Sequence, residues 1–228
     1  MNLPALTRAT VALALVANAA LTVVSVSLMP DFSGGNDSRL QAIAAAPGTA
    51  TVSGLTFVLA QLFLAVGVVG AAHLLRSRVP RLAVAAGTLT LLGAFGHAVY
   101  GGVNLAMLAM ARDLGSLDVH TGVLDDVESG LAIPFMAAGL LGTVLGFVLL
   151  GVAVWRARLG PRWLGPAAVA WVPLEFVGSG LSPWAGYASG LLYAVILITL
   201  GVVVARSSIA HWTSAAEVAQ PVAERVPA

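Results

Sequence analysis

The sequence Arg76-Ser-Arg-Val-Pro-Arg81 separates two long apolar runs, residues 53–75 and 82–110. Each run exceeds the roughly 20 residues that a helix needs to cross a hydrocarbon core at about 1.5 Å per residue. An open strand would leave backbone groups unpaired in lipid, so both runs are predicted to be helices. The basic sequence between them therefore predicts the turn of a membrane hairpin.

Four further apolar segments extend the pattern along the chain. The six predicted spans are residues 9–29, 53–75, 82–110, 131–155, 163–181 and 185–206. The fold class is thus all-α: a polytopic membrane protein with a six-transmembrane-helix bundle in one domain, residues 1–206. Residues 207–228 are predicted to be a tail that is disordered at its end. Between the first two spans, residues 30–52 are predicted to be a polar loop with a short surface helix capped by Ser38.

Composition excludes several classes of protein. Charged residues make up 9% of the 228 residues and apolar residues 59%, whereas soluble domains are about 25% charged. The bilayer is therefore the expected partner, and a net charge of +1 argues against nucleic acid. The absence of cysteine excludes disulfides and thiolate chemistry. The sequence indicates no cofactor and leaves the oligomeric state open.

The arginines predict the orientation. The two sides of the predicted topology differ in charge, because one side carries only Arg39 and Arg112 together with seven of the ten acidic residues. The positive-inside rule places the other side in the cytoplasm, with both termini, in a bacterial inner (plasma) membrane. The arginines on that side are Arg8, Arg76, Arg78, Arg81, Arg156, Arg158, Arg162, Arg206 and Arg225.

Four polar residues inside the predicted spans are candidates for a ligand site. Glu175 follows a long apolar run, and a carboxylate in hydrocarbon is costly enough to suggest a function. His97, Tyr100 and Asn104 recur at i, i+3 and i+7 and so share one helix face. Glu175 and His97 lie about 20 and 24 Å along their helices from the basic turns, which puts both in the outer half of the bilayer. The hypothesis is that they face each other across an outward-facing cavity that holds a proton, a cation or a polar headgroup.

A structural role is the alternative for each of these residues. A protonated Glu175 or a packed His97 can hydrogen-bond between helices, and that role is favoured outright for Asn18 and Gln61. The acidic segment 111–130 is expected to be a solvated loop rather than a metal site, because its spacing matches no ligand motif. The pairs Gly142/Gly146 and Gly186/Gly190 favour helix packing within the bundle over dimerisation.

Two stretches carry a resemblance to a known family. They are Leu91-Leu-Gly-Ala-Phe-Gly-His97-Ala and the run from Leu150-Gly-Val-Ala-Val-Trp-Arg-Ala-Arg158 through Pro161-Arg-Trp163. With them, residues 55–205 resemble uncharacterised six-helix integral membrane proteins, a domain of unknown function common in GC-rich bacteria. The resemblance supports the topology and implies no catalytic residues.

The expected function is binding or transport of a small lipophilic or protonatable ligand through an outward-facing intramembrane pocket. Glu175 would be the charged or proton-carrying group, with His97, Tyr100 and Asn104 as its polar partners. One alternative is an intramembrane lipid- or isoprenoid-modifying enzyme with Glu175 as general acid. The other is a non-catalytic accessory subunit of a membrane complex. The sequence does not decide whether the protein is an enzyme.

Overall fold

The computed structural model describes residues 2–213, apart from the side chain of Pro183, and these residues form helices without any strand. Six helices are long and apolar enough to cross a membrane, which confirms the predicted all-α six-helix bundle. The fifth of them, Leu164–Leu181, is interrupted by a π-helical stretch, Leu174–Gly178, directly after Pro173. The helices are α1 (Leu3–Leu28), α2 (Asn36–Ala45), α3 (Pro47–Leu75), α4 (Pro80–Met110), α5 (Leu117–Asp126), α6 (Ile133–Arg156), α7 (Leu164–Pro173), α8 (Ser179–Leu181) and α9 (Pro183–Ala205).

Helix starts account for the main differences from the predicted spans. Helix α1 begins at Leu3 rather than near residue 9, and Asn2 caps it by accepting a hydrogen bond from the Ala5 amide at 3.1 Å. Helix α3 begins at Pro47 rather than near residue 53. Proline suits the first helical position because its missing N–H would have no partner there. The polar residues before each apolar run therefore belong to the helices.

The six spans pack as a closed ring in chain order. Helix α1 packs on α3, α3 on α4, α4 on α6, α6 on α7, α7 on α9, and α9 again on α1. Inside the ring, Phe147 lies with its ring centroid 4.6 Å from Trp171 and 5.6 Å from Tyr193, while Trp171 and Tyr193 are 5.0 Å apart. All three side chains are buried, so the middle of the bundle is a packed aromatic core.

Glycines allow α4 and α6 to approach each other closely. A Cβ atom on Gly142 would lie 2.5 Å from the Gly93 nitrogen, and one on Gly146 would lie 2.6 Å from the Thr90 nitrogen. The predicted packing role of Gly142 and Gly146 within the bundle is confirmed. The same prediction is wrong for Gly190, where a Cβ would meet nothing within 4 Å.

One end of the bundle gathers both basic turns and the residues after α9. Arg78 of the first turn donates to the Ala157 carbonyl of the second at 2.7 Å, and Arg8 donates to the Ser207 carbonyl at 2.7 Å. The short turn Ile209–Trp212 buries Trp212, whose ring stacks on His73 with centroids 5.4 Å apart. The start of the predicted tail thus packs on the bundle, and residues 214–228, with the predicted disorder, lie outside the described residues.

The opposite, acidic end is covered by α2 and α5. Helix α2 begins at Asn36 with Gly35 as its N-cap, so the prediction that Ser38 caps it is wrong. The Ser38 hydroxyl donates to Asp37 at 3.3 Å instead. Segment 111–130, expected to be a loop, contains α5 and a π-helical stretch. The reason is burial, because Leu40 and Leu124 pack in one apolar cluster beneath the two short helices.

Candidate functional site

The polar stripe of α4 faces its neighbour α3, as its spacing predicted. The His97 ring meets the Phe57 ring edge-on, with centroids 6.1 Å apart. Four residues further along, Gly101 leaves room for α3, since a Cβ there would lie 2.7 Å from a methyl group of Val58. The stripe therefore lies at a helix interface and not on the lipid-facing surface.

A cavity of about 160 Å³ adjoins this stripe at the acidic end of the bundle. We call it the outer cavity. Tyr100 and Asn104, two of the four predicted site residues, belong to its wall. The remaining wall is largely apolar and comes from α1, α2, α3, α4 and the residues after α1. These wall residues are Ser25, Met29, Pro30, Phe32, Ile43, Ala50, Ser53, Gly54, Phe57 and Leu108.

The polar groups of this wall differ in how they are satisfied. Ser25 donates to the Ser53 carbonyl at 3.1 Å, and Ser53 donates to the Ser25 carbonyl at 2.9 Å, so both hydroxyls are engaged. The side-chain amide of Asn104 has no hydrogen-bond partner within residues 2–213. A cavity of about 150 Å³ can hold a benzene-sized molecule. The outer cavity therefore combines space for a small apolar body with one free polar group.

A cluster of polar side chains at the acidic end is connected to the outer cavity through Tyr100. The Tyr100 hydroxyl donates to Glu128 Oε1 at 3.4 Å, and Arg39 Nη1 contacts the same oxygen at 3.2 Å. Asn36 Nδ2 donates to Asp125 Oδ1 at 2.9 Å and to Glu128 Oε2 at 3.1 Å. We call Asn36, Arg39, Asp125 and Glu128 the polar cap. The expectation of a simply solvated acidic loop is therefore wrong for Glu128, which is partly buried, whereas Asp125 is exposed as expected.

Glu175 lies in a different part of the ring. It belongs to the π-helical stretch after Pro173, and its Oε2 accepts a hydrogen bond from the buried Ser189 hydroxyl at 2.5 Å. Because α6 stands between α4 and α7 in the ring, Glu175 and His97 are not neighbours. The described residues contain neither an ion pair nor a hydrogen bond between them. The predicted pairing of Glu175 with His97 is therefore wrong.

A buried hydrogen-bond chain lies one helical turn from Ser189. The Tyr193 hydroxyl donates to Asn18 Oδ1 at 2.9 Å, and Asn18 Nδ2 donates to the Ala60 carbonyl at 2.7 Å. This chain joins α9, α1 and α3, which confirms the helix-contact interpretation of Asn18. Gln61 instead donates to the Phe57 carbonyl of its own helix at 3.3 Å, so the same interpretation is wrong for Gln61.

These observations define the class: an all-α, multi-pass membrane protein with a small cavity under a polar cap at its acidic end. The chain matches no protein-family model, no curated protein and no solved structure. The family resemblance of residues 55–205 therefore stays a prediction.

The residues of the polar cap were not among the site residues predicted from the sequence. Asn36 and Arg39 reach Glu128 across 92 and 89 residues of chain, a separation that no local pattern reveals. One signal was present, since Arg39 is one of only two arginines on the acidic side of the predicted topology. An isolated positive charge among acidic residues indicates an ion pair.

Proposed function

We propose that this protein binds a small lipophilic ligand in the outer cavity. The observation that carries the proposal is the Asn104 amide, which has no hydrogen-bond partner among residues 2–213, on the wall of a largely apolar cavity of about 160 Å³. Ligand sites combine mostly apolar walls with a few polar groups that fix orientation, and this wall has that composition. The arginine-rich opposite end supports an outward-facing position of the cavity in a bacterial inner membrane.

The chemistry of the wall defines the ligand class. Asn104 offers two N–H donors and one carbonyl acceptor, and the Tyr100 oxygen offers a further acceptor. A ligand with one hydroxyl or carbonyl group on an apolar body of about benzene size satisfies both side chains. A longer lipid would place only one end in the cavity. Binding is favoured over transport, because Phe147, Trp171 and Tyr193 occupy the middle of the ring.

Native mass spectrometry of the gently extracted protein tests the proposal. The variant Asn104→Leu removes the amide at similar volume, and Gln61→Leu is the matched control because Gln61 lies outside the wall of the cavity. We expect a defined small-molecule adduct on the wild type and on Gln61→Leu. In Asn104→Leu the adduct should bind about 2- to 10-fold more weakly, the effect of one lost hydrogen bond. An adduct that survives equally in all three proteins, or none on the wild type, would contradict the proposal.

A second candidate function is an intramembrane enzyme with Glu175 as general acid. The favouring observation is that Oε1 of Glu175 has no hydrogen-bond donor among residues 2–213, while Ser189 holds the other oxygen. A π-helical stretch inside an α-helix is also frequent at functional sites. A protonated Glu175 would donate its proton from Oε1 to a double bond or oxygen of a lipid or isoprenoid.

Turnover of a candidate lipid tests this second function. Glu175→Gln should abolish it, whereas Ser179→Ala, which changes a hydroxyl that bonds only the Glu175 backbone carbonyl, should retain it. Wild-type turnover in Glu175→Gln would remove Glu175 from the chemistry. The third alternative, an accessory subunit of a membrane complex, stays a prediction.

A further inference from the structure

The second basic turn has an unusual backbone. Helix α6 ends at Arg156, and the chain takes residues 157–163 to reach α7, whereas the first basic turn needs only residues 76–79. Arg158 has a φ of 50° and Gly160 a φ of 80°, and Arg158 is the single non-glycine residue with positive φ in the described chain. Such a conformation is uncommon outside glycine. The positive φ of Arg158 therefore indicates a turn whose conformation is stabilised by the residues around it.

This wide turn encloses a concavity of about 740 Å³, which we call the arginine cavity. Arg156, Arg158 and Arg162 line it together with Trp155. All three arginines are exposed, and none of their guanidinium groups donates a hydrogen bond or forms an ion pair within residues 2–213. Three unneutralised guanidinium groups thus surround one open space.

Within residues 2–213, no carboxylate lies at this end of the bundle. Every acidic residue between Asn2 and Thr213 belongs either to the acidic end or, as Glu175, to the fifth span. Two other arginines at this end stabilise the fold, since Arg78 donates to the Ala157 carbonyl and Arg8 donates to the Ser207 carbonyl. The arginine cavity is therefore a concentrated positive site with an anion as its natural occupant.

We propose that the arginine cavity binds the phosphate-bearing headgroup of an anionic phospholipid in the inner leaflet. Guanidinium groups form paired hydrogen bonds with phosphate oxygens, which favours arginine over other cations in such sites. Basic pockets at the cytoplasmic ends of transmembrane helices bind anionic headgroups in this way. Trp155, which also lines the cavity, is 63% exposed. Exposed tryptophans are typical of the interfacial belts of membrane proteins, where lipid headgroups lie.

The size of the cavity selects between two sources of phosphate. A volume of about 740 Å³ is far larger than a free phosphate ion requires, and it suits a whole headgroup such as phosphoglycerol. The cavity also lies at the ends of α6 and α7, the level at which lipid phosphates meet the helices. Both features favour a lipid over free phosphate.

The test compares two triple variants of equal charge. One replaces Arg156, Arg158 and Arg162 with Gln; the other replaces Arg76, Arg81 and Arg206, which share this end but do not line the cavity. Each purified protein is titrated in detergent with phosphatidylglycerol and with phosphatidylcholine, and binding is followed by native mass spectrometry. We expect phosphatidylglycerol to bind the wild type preferentially. The affinity for phosphatidylglycerol should fall about 100-fold in the first triple variant, because the loss of each arginine weakens binding roughly fivefold. In the second triple variant the affinity should fall less than about fivefold.

Three results would overturn the proposal. Equal losses of phosphatidylglycerol affinity in both triple variants would show a general charge effect. Equal affinity of the wild type for both lipids would show that the protein does not discriminate between headgroups. Displacement of phosphatidylglycerol by millimolar inorganic phosphate would identify free phosphate as the occupant.

A single variant keeps the proposal testable if the first triple variant fails to fold. Arg158→Gly removes one guanidinium, and glycine adopts positive φ without strain, so the turn is preserved. Phosphatidylglycerol should bind this variant about fivefold more weakly than the wild type. Unchanged binding by a folded Arg158→Gly protein would overturn the proposal, because the headgroup would then bind outside the arginine cavity.

Discussion

The close approach of α4 and α6 gives the sharpest prediction about the fold. In the variant Gly142→Ala, the new Cβ atom would lie 2.5 Å from the Gly93 nitrogen and 2.7 Å from the Leu89 carbonyl oxygen. Both atoms belong to the backbone of α4, so neither yields as a flexible side chain would. Ordinary contacts of carbon atoms begin at about 3.5 Å, so the helices must separate by nearly 1 Å.

The matched control is Gly190→Ala on α9, where the added methyl group meets nothing within 4 Å. Both variants gain the same preference of alanine for a helix, about 1 kcal/mol. The difference in unfolding free energy between Gly142→Ala and Gly190→Ala therefore isolates the cost of overpacking, which is about 1–3 kcal/mol. Gly142→Ala should be the less stable protein by this amount.

Unfolding by sodium dodecyl sulfate in mixed micelles, followed by circular dichroism, measures both free energies under the same conditions. Equal values for the two variants would refute the close contact between Gly142 and Gly93. A Gly190→Ala protein less stable than the wild type would show that Gly190 is packed and not at an open surface.

Two further variants test other parts of the bundle. Tyr193→Phe removes the hydroxyl that donates to buried Asn18. In the sodium dodecyl sulfate titration, this variant should have an unfolding free energy about 0.6–1.7 kcal/mol lower than that of the wild type. Unchanged stability would show that the hydrogen bond contributes nothing. Trp212→Ala removes the ring that stacks on His73 and should expose the segment after α9. Trypsin should then cleave after Arg206 faster than in the wild type. An unchanged cleavage rate would show that the stacking does not hold this segment on the bundle.

The six spans were predictable because length and apolarity alone determine whether a segment crosses a membrane. The packing role of Gly142 also followed from its spacing with Gly146, since small residues at i and i+4 permit close helix contact. The covering helices α2 and α5 were not predictable in this way. Their burial depends on single apolar residues such as Leu40, which meet the spans only in the folded protein.

The candidate site was predictable only along individual helices. The i, i+3, i+7 spacing correctly placed His97, Tyr100 and Asn104 on a face turned toward the bundle. Distance from the basic turns gave Glu175 and His97 similar depths, but depth does not fix the position of a helix around a ring. Because α6 separates their helices, the two residues do not pair.

Photolabelling with a benzene-sized aryl diazirine would show whether the outer cavity is a ligand site. The labelled residues are mapped by peptide mass spectrometry with and without an excess of the unlabelled compound. We expect saturable labelling of Phe57, Tyr100 and Asn104, on the wall of the cavity. Labelling that never saturates, and that follows lipid exposure at residues such as Leu62 and Leu92, would contradict it.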